Sequence, residues 1–201
     1  MLLVFLWVLV TAVNGQSLGI RSSMLLSDQS DHNGSFGGGL YATLSDSLDR
    51  LSFILYSDMI RKNGAFDNCL DCPTKEITTY FLGLSFGAGV LYSLELHRKI
   101  KFKIGPLVSY SAVIGDRQAT TTNWIETYTA KGIGTGVICN VRYRPLSKLP
   151  VCFDIFLNPM YLVNLSGDTD PTGSGSTYLE NSVQFSLHLG LSYLFESNRS
   201  K

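Results

Sequence analysis

The amino-acid sequence predicts an all-β protein, namely an eight-stranded antiparallel up-and-down transmembrane β-barrel. Three observations lead to this fold class. Apolar and polar residues alternate over long segments, the connections between these segments alternate in length, and aromatic residues gather at the segment ends. Because successive side chains of a strand point to opposite faces, such alternation predicts strands with one apolar and one polar face.

The last segment, residues 179–195, shows the alternation most clearly. Eight of its nine odd positions are apolar, and seven of its eight even positions are polar or glycine. Strands of soluble proteins usually have about five or six residues, so this segment is too long for an ordinary strand. Similar alternation predicts further strands over 80–94, 100–114, 125–143 and 151–165, and weaker alternation over 17–26, 36–44 and 48–60.

The predicted connections differ in length in a regular way. Short ones fall near 45–47, 95–98 and 144–150, and long ones near 27–35, 61–75, 115–123 and 166–177. Outer-membrane barrels combine short periplasmic turns with longer extracellular loops, so both termini are expected on the periplasmic side.

The polar faces of the strands contain too many charged residues to lie against lipid. They carry Arg21, Arg50, Asp58, Lys101, Lys103, Arg142, Asp154, Glu180, Gln184 and His188. An eight-stranded barrel has interior room for side chains but not for a wide channel. We therefore expect a filled polar interior and an apolar face that contacts lipid.

Aromatic residues with outward parity cluster beside the short connections and at the end of the last strand. They are Tyr92, Phe102, Tyr143, Phe153, Tyr193 and Phe195, while Tyr110 and Tyr161 lie nearer the opposite end. This distribution is typical of the aromatic girdles at the two membrane interfaces.

Residues 1–15 are predicted to form a signal peptide, and residues 16–201 the barrel domain. The chain is almost continuously apolar from Met1 to Val13, and the small residues Val13 and Gly15 precede a cleavage position before Gln16. No later segment has 18 consecutive apolar residues, which excludes a spanning helix. The formal net charge of zero gives no basic surface for nucleic acid.

The C-terminal strand contains His188, Gly190, Tyr193 and Phe195 in a polar-x-Gly-x-x-aromatic-x-aromatic pattern. In this pattern the chain resembles the small OmpA/OmpX-like outer-membrane β-barrel family, whose last strand serves as an assembly signal. The resemblance implies location in the bacterial outer membrane after export through the periplasm. It also implies outer-membrane lipids and the outer-membrane assembly machinery as partners, and we expect a monomer.

The four cysteines fall into two groups. Cys69 and Cys72 form a C-x-x-C sequence in a long connection, which is compatible with a disulfide, half of a zinc site or a redox pair. An extracytoplasmic location favours the disulfide. Cys139 has outward parity and Cys152 inward parity, so we predict that these two remain free thiols.

The interior charges suggest one specific cluster. Pairing of neighbouring strands is expected to bring Arg142, Asp154 and His188 together as a structural network, because buried charges need partners. A catalytic pair of His188 with Ser186 or Ser192 is the alternative interpretation. Those serines face inward whereas a lipid substrate approaches from outside, which argues against it.

The leading functional hypothesis is a non-enzymatic membrane barrel whose loops contact the surroundings of the cell. No cofactor is expected, and Asp168 and Asp170 are interpreted as solvated loop residues because too few ligands accompany them to bind a cation. Two alternatives are an outer-membrane lipid-modifying enzyme and a soluble lipocalin-like barrel that binds a ligand. The lipocalin-like barrel requires the apolar faces of the strands to point inward.

Overall fold

Eight antiparallel strands form a closed barrel in the computed structural model, which describes residues 16–27, 35–45, 50–66, 77–119, 124–146, 149–167 and 181–195. Each strand pairs with its neighbours in sequence, and β1 also pairs with β8. The strands are β1 (Gln16–Ser27), β2 (Ser35–Ser45), β3 (Leu51–Phe66), β4 (Ile77–His97), β5 (Ile100–Ala119), β6 (Trp124–Tyr143), β7 (Val151–Gly167) and β8 (Ser182–Phe195). The predicted eight-stranded barrel is thereby confirmed.

The central strands are longer than predicted. The segment 115–123 was expected to be a long loop, but Ala119 pairs with Trp124, so β5 and β6 continue nearly to the end of their hairpin. A tilted strand crosses a bilayer in about 9–11 residues, whereas β4 has 21. The strands therefore extend past the membrane. There no lipid requires an apolar face, which explains why the alternation stops after Ile114 while backbone pairing continues.

The two faces of the barrel wall differ in polarity as the parity predicted. In β8, Ser182, Gln184, Ser186, His188 and Ser192 are buried, and the intervening apolar residues are exposed. Large exposed hydrophobic side chains occur on all eight strands. Apolar surface of this extent is unfavourable in water, so the wall is built to contact hydrocarbon. The soluble lipocalin-like alternative is contradicted, because it requires the opposite orientation.

Aromatic side chains surround the end of the barrel that bears the short connections. Tyr143 pairs with Phe153, Tyr193 is one outward position nearer the short connections on the next strand, and all three are 42–50% exposed. The Tyr193 and Phe195 rings meet edge to face with their centroids 5.0 Å apart. Phe102 is less exposed than the others. This arrangement fits an interfacial girdle.

One residue assigned to the interior from sequence parity is not found there, and a second lies outside the described residues. Arg50 is exposed just before β3, because that strand begins at Leu51 and not at residue 48. Glu180, like the predicted signal peptide 1–15, lies outside the described residues. No helix among the described segments is long and apolar enough to cross a membrane.

The lipid-facing assignment predicts that an arginine will be tolerated differently at two outward positions. Leu187 lies near mid-height and Leu96 lies beyond the aromatic residues at the short-connection end, and both are exposed. We expect Leu187→Arg to lower the free energy of unfolding in lipid vesicles by about 2–4 kcal/mol, and Leu96→Arg by about 0–1 kcal/mol. Urea titration of both variants measures this difference. Equal effects would contradict the assignment.

Candidate functional site

The lumen near the short connections is closed by an ion pair between Arg142 and Asp154. These residues are direct partners on β6 and β7, and Arg142 Nε donates to Asp154 Oδ1 at 2.8 Å. Both side chains are buried. Inside a narrow lumen the pair satisfies two charges that would otherwise be costly to bury.

Asp154 is the centre of a larger hydrogen-bond network. Its carboxylate also accepts from Tyr41 Oη at 2.6 Å, Ser192 Oγ at 2.7 Å and Asn140 Nδ2 at 3.2 Å. Arg142 in turn donates to Ser17 Oγ at 3.0 Å. The donors to Asp154 come from β2, β6 and β8, and Arg142 extends the network to Ser17 on β1, so this one carboxylate on β7 connects strands around much of the barrel.

A second ion pair, Arg21 with Asp58, lies further from the short connections. Arg21 Nε donates to Asp58 Oδ1 at 2.9 Å, and a second nitrogen of the guanidinium binds Asp58 Oδ2. The guanidinium carbon lies 4.0 Å from the centroid of the Tyr56 ring, a cation–π distance. Arg21 and Asp58 are on β1 and β3, and Gly39 of β2 is the residue paired with both.

Glycines give the large lumen side chains their space. A Cβ at Gly39 would lie 2.3 Å from Asp58 Oδ1, and one at Gly87 would lie 2.2 Å from the Tyr56 ring. A Cβ at Gly19 would lie 2.5 Å from the Tyr41 ring, which also crosses Gly190 on the way to Asp154. These glycines therefore provide the lumen space that the large side chains occupy.

His188 belongs to the Arg21–Asp58 network and not to the Arg142–Asp154 network. Its Nδ1 lies 2.8 Å from Ser23 Oγ and 4.0 Å from Asp58 Oδ2. Its Nε2 lies 2.8 Å from Ser186 Oγ and 3.1 Å from Asn158 Nδ2.

The predicted cluster of Arg142, Asp154 and His188 is thus corrected in its third member. His188 pairs with Phe156, one inward position beyond Asp154 on β7. The Phe156 ring packs edge to face on Tyr41 with centroids 4.9 Å apart and on His188 at 6.4 Å. An aromatic layer therefore separates the two charge networks. Sequence parity identifies inward residues, but it does not give their height and reach inside the lumen.

Beyond the His188 level, towards the long connections, the lumen contains a cavity of about 60 Å³. Its floor includes Tyr56, Asp58, Ser186 and His188, and Gln184 lies at its side. Its apolar lining includes Leu25, Ile60, Val113, Met160 and Leu162. Inward apolar residues are not confined to the cavity, because Ile54, Leu91, Leu107 and Ile138 are also buried inside the lumen, so the expectation of a filled polar interior is met only in part.

The remaining candidate residues occupy separate positions. Ser186 contacts His188, whereas Ser192 contacts Asp154, so the two candidate serines are in different networks. Cys139 faces outward and Cys152 is buried in the lumen, and both are free thiols. The predicted disulfide of Cys69 with Cys72 and the acidic residues Asp168 and Asp170 lie outside the described residues.

Sequence reasoning missed four residues that organise the lumen, namely Tyr41, Tyr56, Asn158 and Phe156. The signal for the tyrosines was present. Tyr41 and Tyr56 are paired with each other. Each also pairs with a glycine on its other neighbouring strand, namely Gly19 on β1 for Tyr41 and Gly87 on β4 for Tyr56. A large inward aromatic residue beside a glycine on the next strand is a pattern that indicates a ring lying across that glycine. No group of three or more His, Cys, Asp or Glu residues suited to a metal occurs within the described ranges.

The Asp154 network predicts strong energetic coupling with Arg142. Asp154→Ala leaves a buried guanidinium without its carboxylate, so we expect the free energy of unfolding to fall by about 3–5 kcal/mol. The double variant Arg142→Met/Asp154→Leu removes both charges, and its loss is expected to be much smaller than the sum of the single losses. Urea unfolding of the singles and the double gives the coupling energy. Additive losses would show that the pair acts as two independent residues.

Comparison with known proteins supports the fold. No family model matches the sequence, and no curated protein matches it. Among solved structures, a major outer membrane protein from Thermus thermophilus superimposes with a TM-score of 0.62 at 16% identity, covering 90% of this chain and 99% of that one. The attachment invasion locus protein Ail of Yersinia pestis, in complex with the heparin analogue sucrose octasulfate, gives 0.53 at 15% identity, covering 91% and 100%. The chain has the fold of small eight-stranded outer-membrane β-barrels, as the sequence resemblance implied.

Proposed function

We propose that this chain is a small integral protein of a bacterial outer membrane, with a closed lumen and with long connections that act at the cell surface. One observation carries the proposal: the barrel exposes an apolar belt on every strand while its interior holds paired charges. Only a closed barrel or a helix satisfies all backbone hydrogen bonds in hydrocarbon. The belt and the closure therefore support residence in a membrane.

The filled lumen supports a role other than that of an open pore. The Arg142–Asp154 pair, the Tyr41 and Phe156 rings and the Arg21–Asp58 pair occupy successive levels of the barrel interior. Such networks connect strands that face each other across the lumen, and they resist deformation of the barrel. We infer that the paired charges of the lumen primarily stabilise the barrel, in keeping with a structural role.

The charges of the long connections indicate what kind of surface they present. The segments 28–34, 67–76 and 168–180 together contain eight acidic residues and one lysine. Two of the three short connections at the other end are basic, with Arg98 and Lys99 in one and Arg144 and Lys148 in the next, whereas the third contains Asp46 and Asp49. Ail binds a highly anionic heparin analogue in its solved complex. Acidic connections favour cationic partners instead, so we propose a surface that repels polyanions and attracts basic proteins or peptides.

Residence in the outer membrane predicts a heat-modifiable protein in the outer-membrane fraction. When the chain is produced with its leader in a Gram-negative host, we expect it to migrate on a denaturing gel as a compact form before boiling and as a slower form after boiling. A closed membrane barrel resists unfolding in detergent, which accounts for this shift. A protein that fractionates as soluble without detergent would overturn the proposal.

The same assay tests the expected assembly signal of His188, Gly190, Tyr193 and Phe195. Tyr193 and Phe195 are exposed and adjacent on the outer face of β8, where a partner can reach them. We infer that the outer-membrane assembly machinery reads this face. Phe195→Ser is expected to reduce the compact form in cells but not after refolding in lipid. The same gel tests the expectation that the protein is a monomer, for which we expect a compact band at the size of one chain. The β1–β8 pairing supports this expectation because it leaves no open sheet edge for a second chain.

The acidic surface predicts a specific pattern of binding. Cells that display the protein are expected to bind polylysine-coated beads more strongly than heparin-coated beads, and binding is expected to weaken with salt because exposed charges are screened. Asp168→Asn/Asp170→Asn is expected to reduce binding to polylysine. Asp46→Asn/Asp49→Asn, in a short connection, is the matched control and is expected to leave binding unchanged. Preferential binding to heparin would contradict the proposed surface.

A further inference from the structure

We propose that Ser186 is an activated nucleophile and that the lumen cavity admits small neutral esters, which react with it. This activity goes beyond the proposed structural and surface role. It rests on a hydroxyl, an imidazole and a carboxylate that meet at the floor of one cavity: Ser186, His188 and Asp58.

The geometry between the nucleophile and its base is already in place. Ser186 and His188 are two residues apart on β8, so both side chains face the lumen. Ser186 Oγ lies 2.8 Å from His188 Nε2, within reach for proton transfer. Both residues line the cavity, which gives a small molecule access to the hydroxyl from within the lumen.

The hydrogen bonds on the other side of the imidazole select the tautomer that this chemistry needs. Ser23 Oγ donates to Asp58 Oδ1 at 3.2 Å, so its oxygen is left to accept a hydrogen bond. His188 Nδ1, 2.8 Å from the same oxygen, is then the donor and carries the proton. This leaves the lone pair on Nε2, which faces Ser186 Oγ at 2.8 Å and also Asn158 Nδ2 at 3.1 Å. Ser23 and Asp58 are positioning residues, because they orient the base without contacting the substrate.

The cavity restricts which substrates can reach Ser186. A buried water needs about 10–15 Å³ of such space, so about 60 Å³ accommodates only a few heavy atoms beside the serine. The apolar lining by Val113, Met160 and Leu162 favours a short acyl chain. Asp58 is already paired with Arg21, so a charged substrate would find no free counter-ion at the floor.

The reaction follows from these positions. Ser186 Oγ attacks the carbonyl carbon of the ester while its proton passes to His188 Nε2. When the tetrahedral adduct collapses, the bond from the carbonyl carbon to the alcohol oxygen breaks, and the alcohol leaves with the proton from His188. Water then attacks the acyl-serine, which releases the carboxylic acid and restores the Ser186 hydroxyl. The amide of Gln184, which lines the cavity and donates to Ser182 at 3.3 Å, has a second N–H for the developing oxyanion.

Ser186 and His188 are positioned for a substrate inside the lumen and not for a membrane lipid. A membrane lipid approaches the barrel from outside, whereas Ser186 and His188 are 4% and 2% exposed and face the interior. Ser186 and His188 line the lumen cavity instead, so only a molecule that enters the lumen can contact them. The substrate class is therefore set by the route of entry as well as by the cavity lining.

The experiment uses the full barrel in lipid nanodiscs with vinyl acetate, an ester small enough for the cavity, as the probe. We expect release of acetaldehyde together with an acetyl group on the peptide that contains Ser186, detected by mass spectrometry. Ser186→Ala is expected to abolish that adduct, and His188→Gln to slow its formation by about 10²–10⁴-fold. Ser192→Ala, which alters a lumen serine without a histidine contact, is the matched control and is expected to react like the parent protein.

Further variants separate chemistry from folding. The compact band before boiling shows whether each variant has folded. Ser23→Ala is expected to lower kcat with little change in KM, because it disturbs the orientation of His188 and not the cavity. Acetylation of Ser186 no faster than that of Ser192, or unchanged turnover in folded Ser186→Ala, would overturn the proposal. Failure of this test leaves the membrane location and surface role unaffected, since those rest on separate measurements.

Discussion

The pairing of β1 with β8 is the interaction on which the rest of this structure depends. It joins 12 residue pairs, from Gln16 opposite Phe195 to Ser27 opposite Gln184, and leaves no unpaired edge. In hydrocarbon an unpaired edge would expose a row of unsatisfied N–H and C=O groups, each at a cost of several kcal/mol. Closure with eight strands also sets the width of the lumen. The inward side chains must then pack together inside a narrow lumen, which has room for side chains but not for a wide channel.

The narrow lumen accounts for the order in which charges, rings and glycines occur. Charges cannot be hydrated freely at this depth, so Arg142 pairs with Asp154 and Arg21 with Asp58. Aromatic rings occupy the lumen at and between these levels, and the two tyrosine rings each need an adjacent position without a side chain. Gly19 and Gly87 meet that need for Tyr41 and Tyr56. The glycine content and the charge content of the strands are therefore two consequences of the same limit on volume.

Much of this architecture could be predicted from the sequence, because lipid requires an apolar residue at every second position of each strand it contacts. That rule located β5, β6 and β7 within a few residues at their short-connection ends. It failed where lipid contact ends, as in the hairpin from Ile114 to Trp124, since hydrogen bonding alone continues the strands there. It also could not assign partners. Arg21 reaches Asp58 across Gly39, two strands away, and no local pattern gives the register of β1 and β3 on β2.

The same distinction explains why His188 was assigned to the wrong network. Strand pairing correctly brings β7 and β8 together, but whether His188 turns to Asp154 or to Asp58 depends on Phe156, which lies between the two levels. Phe156 is an apolar residue at an inward position, a departure from the polar parity of the lumen. Departures of this kind carry information. Val113, Met160 and Leu162 are departures too, and they line the cavity above His188. Ile54, Leu91, Leu107 and Ile138 are inward and buried as well, but they fill the lumen beside β3 to β6 and do not line the cavity. Inward apolar residues in this barrel therefore either pack a solid part of the lumen or line a space that a small apolar group can occupy.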